Sequence, residues 1–232
     1  MFQPATRSDW RYERKFALAD LSRPEIESVV RRNPATFCDV YHRRWINNIY
    51  FDTPLMAAYH ENLSGHAGPR IKYRVRWYGS LSEEVAEPTL ELKIRQGQVN
   101  RKRSFRLAPF TLDAALTAAD LRDLFRSGDL PEPLLHDLLK LRPTLINRYS
   151  RNYFQTTDRQ YRITIDSDLS YYPAHPRPGA LLASVADRRT HVVELKYAPD
   201  GDSRARQITQ HFPFRLSRSS KYVQGIEQIA RR

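Results

Sequence analysis

The chain has 232 residues with Lys+Arg 38 against Asp+Glu 26, a formal net charge of +12 and a pI of about 10.0, and this balance asks for an anionic partner. A hydrophobic fraction of 41% with Tyr 13 and Phe 10 excludes a disordered basic tail, and the single cysteine, Cys38, excludes a disulfide framework or a thiolate zinc site and fits a reducing, cytoplasmic setting. No run approaches the roughly eighteen apolar residues of a membrane span, and MFQPATRSDW has no apolar signal core, so the expectation is one soluble domain over residues 1–232 without linker or repeat.

The first predicted strand is RYERKFAL, where Arg11, Glu13 and Lys15 alternate with Tyr12, Phe16 and Leu18; a period of two sends successive side chains to opposite faces of a sheet. LSRPEIESVVRRN follows as a helix, with Ser22 as N-cap, Pro24 in the first turn, Glu25 completing a capping box and Ile26, Val29 and Val30 on one face. PLMAAYHENLSG, from Pro54 to Gly65, reads as a short helix with a glycine stop. RIKYRVRWYG then places Arg70, Lys72, Arg74 and Arg76 on one face and Ile71, Tyr73, Val75 and Trp77 on the other. Like charges crowded in this way repel, and an ordinary solvated strand would mix its polar residues.

TLELKIRQG repeats the pattern with Glu91, Lys93 and Arg95 against Leu90, Leu92 and Ile94, and RKRSFRL follows within reach of a hairpin across Gly97 and Asn100. Between about 111 and 141 the leucines recur at helical spacing without a charged stripe, which predicts a helical insert for packing or a lid. NRYSRNYFQ offers Arg148 or Arg151 to the charged face, depending on register, and Tyr149 beside them reads as core packing. QYRITIDSDL sets Arg162, Thr164 and Asp166 opposite Ile163 and Ile165; YYPAHPRPGALLA reads as a loop or edge; HVVELKY sets Glu194 and Lys196 opposite Val193, Leu195 and Tyr197. DSRARQITQHF and SSKYVQGIEQIARR close the chain as helices, the last capped by Ser219 or Ser220.

If these stripes face one another, the sheet curls around a wet cationic interior. A buried cation costs several kcal/mol, roughly, unless it is paired, and the carboxylates Glu13, Glu91, Asp166 and Glu194 are too few to balance the array. They suit a different task, holding Mg²⁺ or Mn²⁺ that bridges protein oxygens to substrate phosphates. With Gly 8, no GxxxxGK[ST] and no GxGxxG, phosphate has to be held by side chains. The histidines show no zinc spacing, and Ser217, Ser219 and Ser220 lack a GxSxG context and read as caps. A nucleic-acid binder would interleave exposed aromatics with its cations, whereas here the aromatics lie mainly on the opposite face of the charged strands.

RYERKF, NNIYFDTP, RVRWYG, ELKIRQ, YSRNYF, RITIDSDL, VVELKY and SSKYVQG occur in that order, and from about Arg11 to Gly225 the chain resembles the polyphosphate polymerase domain of the vacuolar transporter chaperone (VTC) family, among the triphosphate tunnel metalloenzymes. The resemblance implies an α+β fold, a closed antiparallel β-barrel of eight strands forming a triphosphate tunnel, with flanking helices. It implies that Lys15, Arg74, Arg76, Lys93, Arg151 and Arg162 hold phosphates, that Arg103 and Lys196 add to the wall, and that Lys221 and Arg218 stand on the C-terminal segment at the tunnel mouth. Glu194 matches the family's metal-binding glutamate, with Glu13 and Glu91 as further candidates, and Lys93, Arg76 and Lys221 are the expected catalytic cations. The implied partners are ATP and triphosphate or polyphosphate, not nucleic acid, and the cofactor Mn²⁺ or Mg²⁺. One departure bears on activity: related triphosphatases and cyclases carry another glutamate where this chain has Arg11, which removes a ligand for a second, water-activating metal. The expected reaction is transfer of the ATP γ-phosphate to a growing polyphosphate chain; hydrolysis of a triphosphate and polyphosphate binding without catalysis are the alternatives.

Overall fold

The structure, a computed structural model, describes residues 10–65, 68–82, 84–113, 116–174 and 184–231. The predicted strands form as the alternation requires: β1 Arg11–Leu18, β3 Arg70–Tyr78, β5 Thr89–Gln96, β6 Val99–Arg106, β8 Arg142–Thr156, β9 Arg162–Pro173 and β11 His191–Tyr197. To these the structure adds β2 Phe37–Asp52, short strands β4 Glu84–Val85 and β7 Phe110–Thr111, and β10 Val185–Asp187. β10 is an edge strand on β9; residues 175–183 of the predicted loop YYPAHPRPGALLA lie outside the described residues, as do residues 1–9.

The main sheet runs β10-β9-β11-β1-β6-β5-β3-β2-β8, and a further β9–β8 pairing joins its ends into a closed antiparallel barrel of eight strands plus β10. Closure pairs both edges of each barrel strand at least in part, the shortest seam being β1 with β6 through Arg11 and Tyr12 alone. The β5–β6 hairpin turns where expected, with Gly97 at φ 57.

Register fixes which face each side chain takes. Arg74 stands opposite Glu91 and Lys72 opposite Lys93, with Tyr73 opposite Leu92 on the other face. The outward apolar faces need cover, and the helices supply it. α3 Ala118–Arg126 and α4 Glu132–Leu139, the predicted insert, lay Leu121, Leu124, Phe125, Leu134 and Leu138 over Val75, Trp77, Leu90 and Leu92. α1 Arg23–Arg31, with the predicted capping box of Ser22 and Glu25, and α5 Asp202–Gln210 cover Phe16, Phe154, Ile163, Val193 and Leu195.

α2 Ala57–Leu63 and α6 Lys221–Ala230 sit at one end of the barrel. Asp52 holds both: its carboxylate accepts from the backbone N–H groups of Ala58 and Tyr59, each at 3.0 Å, and from the Tyr222 hydroxyl at 2.6 Å. Tyr222 also stacks on Tyr50, ring centroids 5.2 Å apart. α6 lies so close to the wall that a Cβ at Gly225 would meet Leu145 and Tyr171 at 2.5 Å, so only glycine fits there. Ser220 is its N-cap, its hydroxyl accepting from the Val223 N–H.

Candidate functional site

The inward face of the barrel is a network of cations and carboxylates. On β1 and β11, Lys15 Nζ lies 3.1 Å from Glu194 and 3.8 Å from Glu13; Glu13 also receives Lys93 Nζ at 2.7 Å, and Glu194 receives Lys196 at 2.9 Å. On β3, β5 and β6, Glu91 accepts from Arg74 at 2.6 Å and Lys102 at 2.7 Å, with Arg76 at 3.5 Å. On β8 and β9, Asp166, fully buried, binds Arg151 through paired hydrogen bonds, and Lys221 reaches it from α6 at 2.6 Å. Arg76 additionally donates to Asn48 at 2.8 Å and to the Tyr149 hydroxyl at 2.9 Å. Lys72 donates to Ser220 at 3.0 Å, and Lys15 to the Ser219 carbonyl at 3.2 Å, so the N-terminus of α6 faces the lumen.

Electrostatics follow from this crowding. Burial pushes the carboxyls up, but the surrounding cations overcome it: Glu13 is lowered to about 2 by Lys93, Lys196 and Lys15, and Glu194, Glu91 and Asp166 are held below the usual carboxylate range by their own partners. The cations diverge. Glu194 and Glu13 raise Lys15 against the cost of burial, whereas burial, aided by Lys15 and Lys196 against the pull of Glu13, brings Lys93 down to about 8. Burial, together with the like charges of Lys93 and Lys15, also holds Lys72 well below the ordinary lysine value.

Most of the residues expected from the sequence meet here. Lys15, Arg74, Arg76, Lys93, Arg151, Lys196 and Lys221 line the lumen with Glu13, Glu91 and Glu194. Arg162 stands at the end opposite α6, exposed, in register with Lys196. It lines a cavity of about 700 Å³ with Arg11, Lys196 and Arg204. Arg218 is exposed near Gly65 and Arg70 at the α6 end, off the tunnel wall.

Two expectations are corrected. Arg103 pairs with Leu92 on the outward face and stacks on Phe105 at 5.4 Å; the wall positions of β6 are Lys102 and Ser104, opposite Lys93 and Glu91. Glu91 does not join Glu13 and Glu194, because Arg74, Arg76 and Lys102 enclose its carboxylate. The open register of β8 resolves with Tyr149 and Arg151 inward, while Arg148 stacks outside on Trp45 at 4.3 Å. Asn48, Tyr50, Lys72 and Lys102 are lumen residues that the sequence reading left out of the site, Asn48 and Tyr50 because uncharged side chains make no charged stripe.

A divalent ion fits this donor set in part. Glu13 and Glu194 are ionised oxygen donors that share the Lys15 ammonium and each hold one more, Lys93 and Lys196, and beside them the buried Thr164 hydroxyl, opposite Glu194 in register, has no hydrogen-bond partner. Among the described residues no group of three His, Cys, Asp or Glu forms a complete cage, so phosphate oxygens and water would have to supply the remaining ligands, as is usual for Mg²⁺.

A closed antiparallel barrel with a charged lumen is the architecture of the triphosphate tunnel proteins. The VTC domain model matches residues 10–230, and the chain belongs to that family. Among solved structures, a Vibrio parahaemolyticus protein described as a candidate adenylate cyclase aligns with a TM-score of 0.51 at 12% identity, covering 92% of this chain and 97% of that one. The PH1819 protein of Pyrococcus horikoshii aligns with a TM-score of 0.51 at 12% identity, covering 94% and 99%. At such identity the likeness speaks for the fold. A search of curated proteins finds no match.

Proposed function

We propose that the chain is a polyphosphate polymerase that takes ATP with its triphosphate along the lumen and passes the γ-phosphoryl group to the end of a polyphosphate chain. The observation that carries this reading is the charge balance of the lumen. Lys15, Lys72, Arg74, Arg76, Lys93, Lys102, Arg151, Lys196 and Lys221 outnumber Glu13, Glu91, Asp166 and Glu194, and each of these carboxylates is already tied to cations. A polyanion completes the balance. A barrel of this strand number has an interior about one small ligand wide, which suits a single phosphate chain and not a duplex.

In this reading Arg74, Arg76, Lys93 and Arg151 hold the phosphates midway, Lys15, Lys72 and Lys221 hold the end nearest α6, and Lys196 and Arg162 hold the other mouth. Lys93 and Lys221 neutralise the charge that spreads over the transferring group, and Arg76 the charge that develops on the ADP leaving group. The bond from the γ-phosphorus to ADP breaks as a terminal oxygen of the acceptor bonds to it, and ADP leaves. Glu194 and Glu13 are the residues that would hold Mn²⁺ or Mg²⁺, which supplies further neutralisation of phosphate oxygens when bound.

Transfer to phosphate is favoured over hydrolysis by the state of the carboxylates. Glu13, at about 2, and the depressed Glu194, Asp166 and Glu91 are weak bases at neutral pH and poor at taking a proton from water. An acceptor phosphate arrives already anionic and needs only to be positioned. The test is to incubate the purified protein with ATP and Mn²⁺, with and without a short polyphosphate primer, and resolve ADP, free phosphate and chain length. ADP with lengthening chains is expected; free phosphate without chains makes it a triphosphatase, and tight polyphosphate binding without turnover makes it a binding module.

A further inference from the structure

The lumen mouth away from α6 carries an aromatic group that phosphate binding does not use. Arg44 lies among three rings, its guanidinium carbon 4.6 Å from the centroid of Tyr41, 5.7 Å from Tyr153 and 5.8 Å from Tyr78. Tyr41 meets Tyr153 edge-on at 5.5 Å. Tyr41 and Tyr78 are 50% and 53% exposed, in contrast to Tyr149, which is buried and committed to Arg76. Register ties this group to the tunnel. Tyr78 shares its face with Arg76 two residues earlier on β3, Tyr153 shares its face with Arg151 on β8, and Arg44 stands opposite Arg151. Tyr78 and Tyr153 are thus each one strand step, about 7 Å, from a cation of the wall, the spacing of a ribose between a base and its phosphates, and Tyr41 stands beside Tyr153 across the ladder.

We infer that Tyr41 and Tyr78, steadied by Arg44 and Tyr153, form a stacking platform for the base of a nucleoside triphosphate whose phosphates occupy the lumen. This rests on the triphosphate reading above and adds the direction of entry: the base stays at this mouth, and the terminal phosphate is the one nearest Lys72, Lys15 and the N-terminus of α6. Stacking tolerates any base, since each has a π-face, so the platform confers preference for a nucleotide over bare triphosphate and little choice among nucleotides.

The test compares dissociation constants for ATP and for inorganic tripolyphosphate, by calorimetry, in the wild type, Tyr78→Ala, Tyr41→Ala and Tyr78→Phe. Because stacking on one ring is worth enough to measure, Tyr78→Ala should weaken ATP roughly tenfold and leave tripolyphosphate within about twofold, with Tyr41→Ala acting in the same direction and Tyr78→Phe close to wild type. Equal losses for both ligands, or unchanged ATP binding in both alanine variants, would overturn the platform while leaving the tunnel intact. A wild type that binds neither ligand would overturn the tunnel reading and the platform with it.

Discussion

The two faces of one barrel wall are built on opposite terms. Outside, Val75, Leu90, Leu92, Phe154 and Leu195 are buried under helices and contribute by leaving water. Inside, Arg74, Arg76, Arg151 and Lys93 are also largely shut from water but share a few carboxylates as counter-charges. The outer face secures the fold and the inner face spends part of that stability on a charge excess waiting for an anion. Alternation along each strand is what allows one segment to do both.

Breaking the inner face at its most buried counter-charge should have the largest effect. Asp166→Asn leaves Arg151 and Lys221 without their carboxylate, so urea denaturation should register a loss of about 3–5 kcal/mol. Tripolyphosphate should return more of that stability to the variant than it adds to the wild type; equal gains would mean that these cations do not face the ligand. On the outer face, Leu90→Ala empties a fully buried position and should cost about 2–5 kcal/mol. Its affinity for tripolyphosphate should stay unchanged.

Arg76→Ala should do the converse: the protein keeps its denaturation midpoint within narrow limits while turnover falls about 10²–10³-fold, the effect of removing one preorganised donor from a developing charge. Full activity in this variant would remove Arg76 from the wall. The smallest effect is in pH. Lys93, at about 8, loses its charge as pH rises above that value, so affinity for tripolyphosphate should decline between about pH 7 and 9.5. Lys93→Arg should flatten the profile, since guanidinium stays charged. The sign for stability is opposite. Between about 8 and the unfolded value of 10.5 the unfolded chain binds more protons at this residue, so through Lys93 the unliganded protein gains stability over a range that overlaps the one in which it loses affinity.

How much of this could be read beforehand depended on whether a strand advertised its faces. β3 and β5 did, because cations and aliphatics alternate strictly, which puts Arg74, Arg76 and Lys93 on a charged face; the family resemblance then singles them out from Arg70, Lys72 and Arg95 on the same stripes. β6 did not: VNRKRSFR is charged on both faces, and Arg103 was assigned inward. A signal was present in Phe105, which packs against the outer core and shares its parity with Arg103. β2 was missed as a strand because its first half is exposed and its second, INNIYFD, is buried on both faces, leaving no alternation. Ion-pair partners such as Glu91 with Lys102 depend on register across the β5–β6 hairpin, which spacing does not specify.

β1 finds its main partner near the other end of the chain, Tyr12 opposite Tyr197 and Leu18 opposite His191, while only Arg11 and Tyr12 face β6. During synthesis, therefore, the earliest of the barrel's described strands is among the last to be secured. Until β11 has emerged, Phe16 has no Val193 beside it and Lys15 no Glu194, and both edges flanking the gap are open to pairing with another chain. So long-range a ladder makes closure a late and slow event in folding, and the ion network across β1 and β11 can form only when these two strands have met.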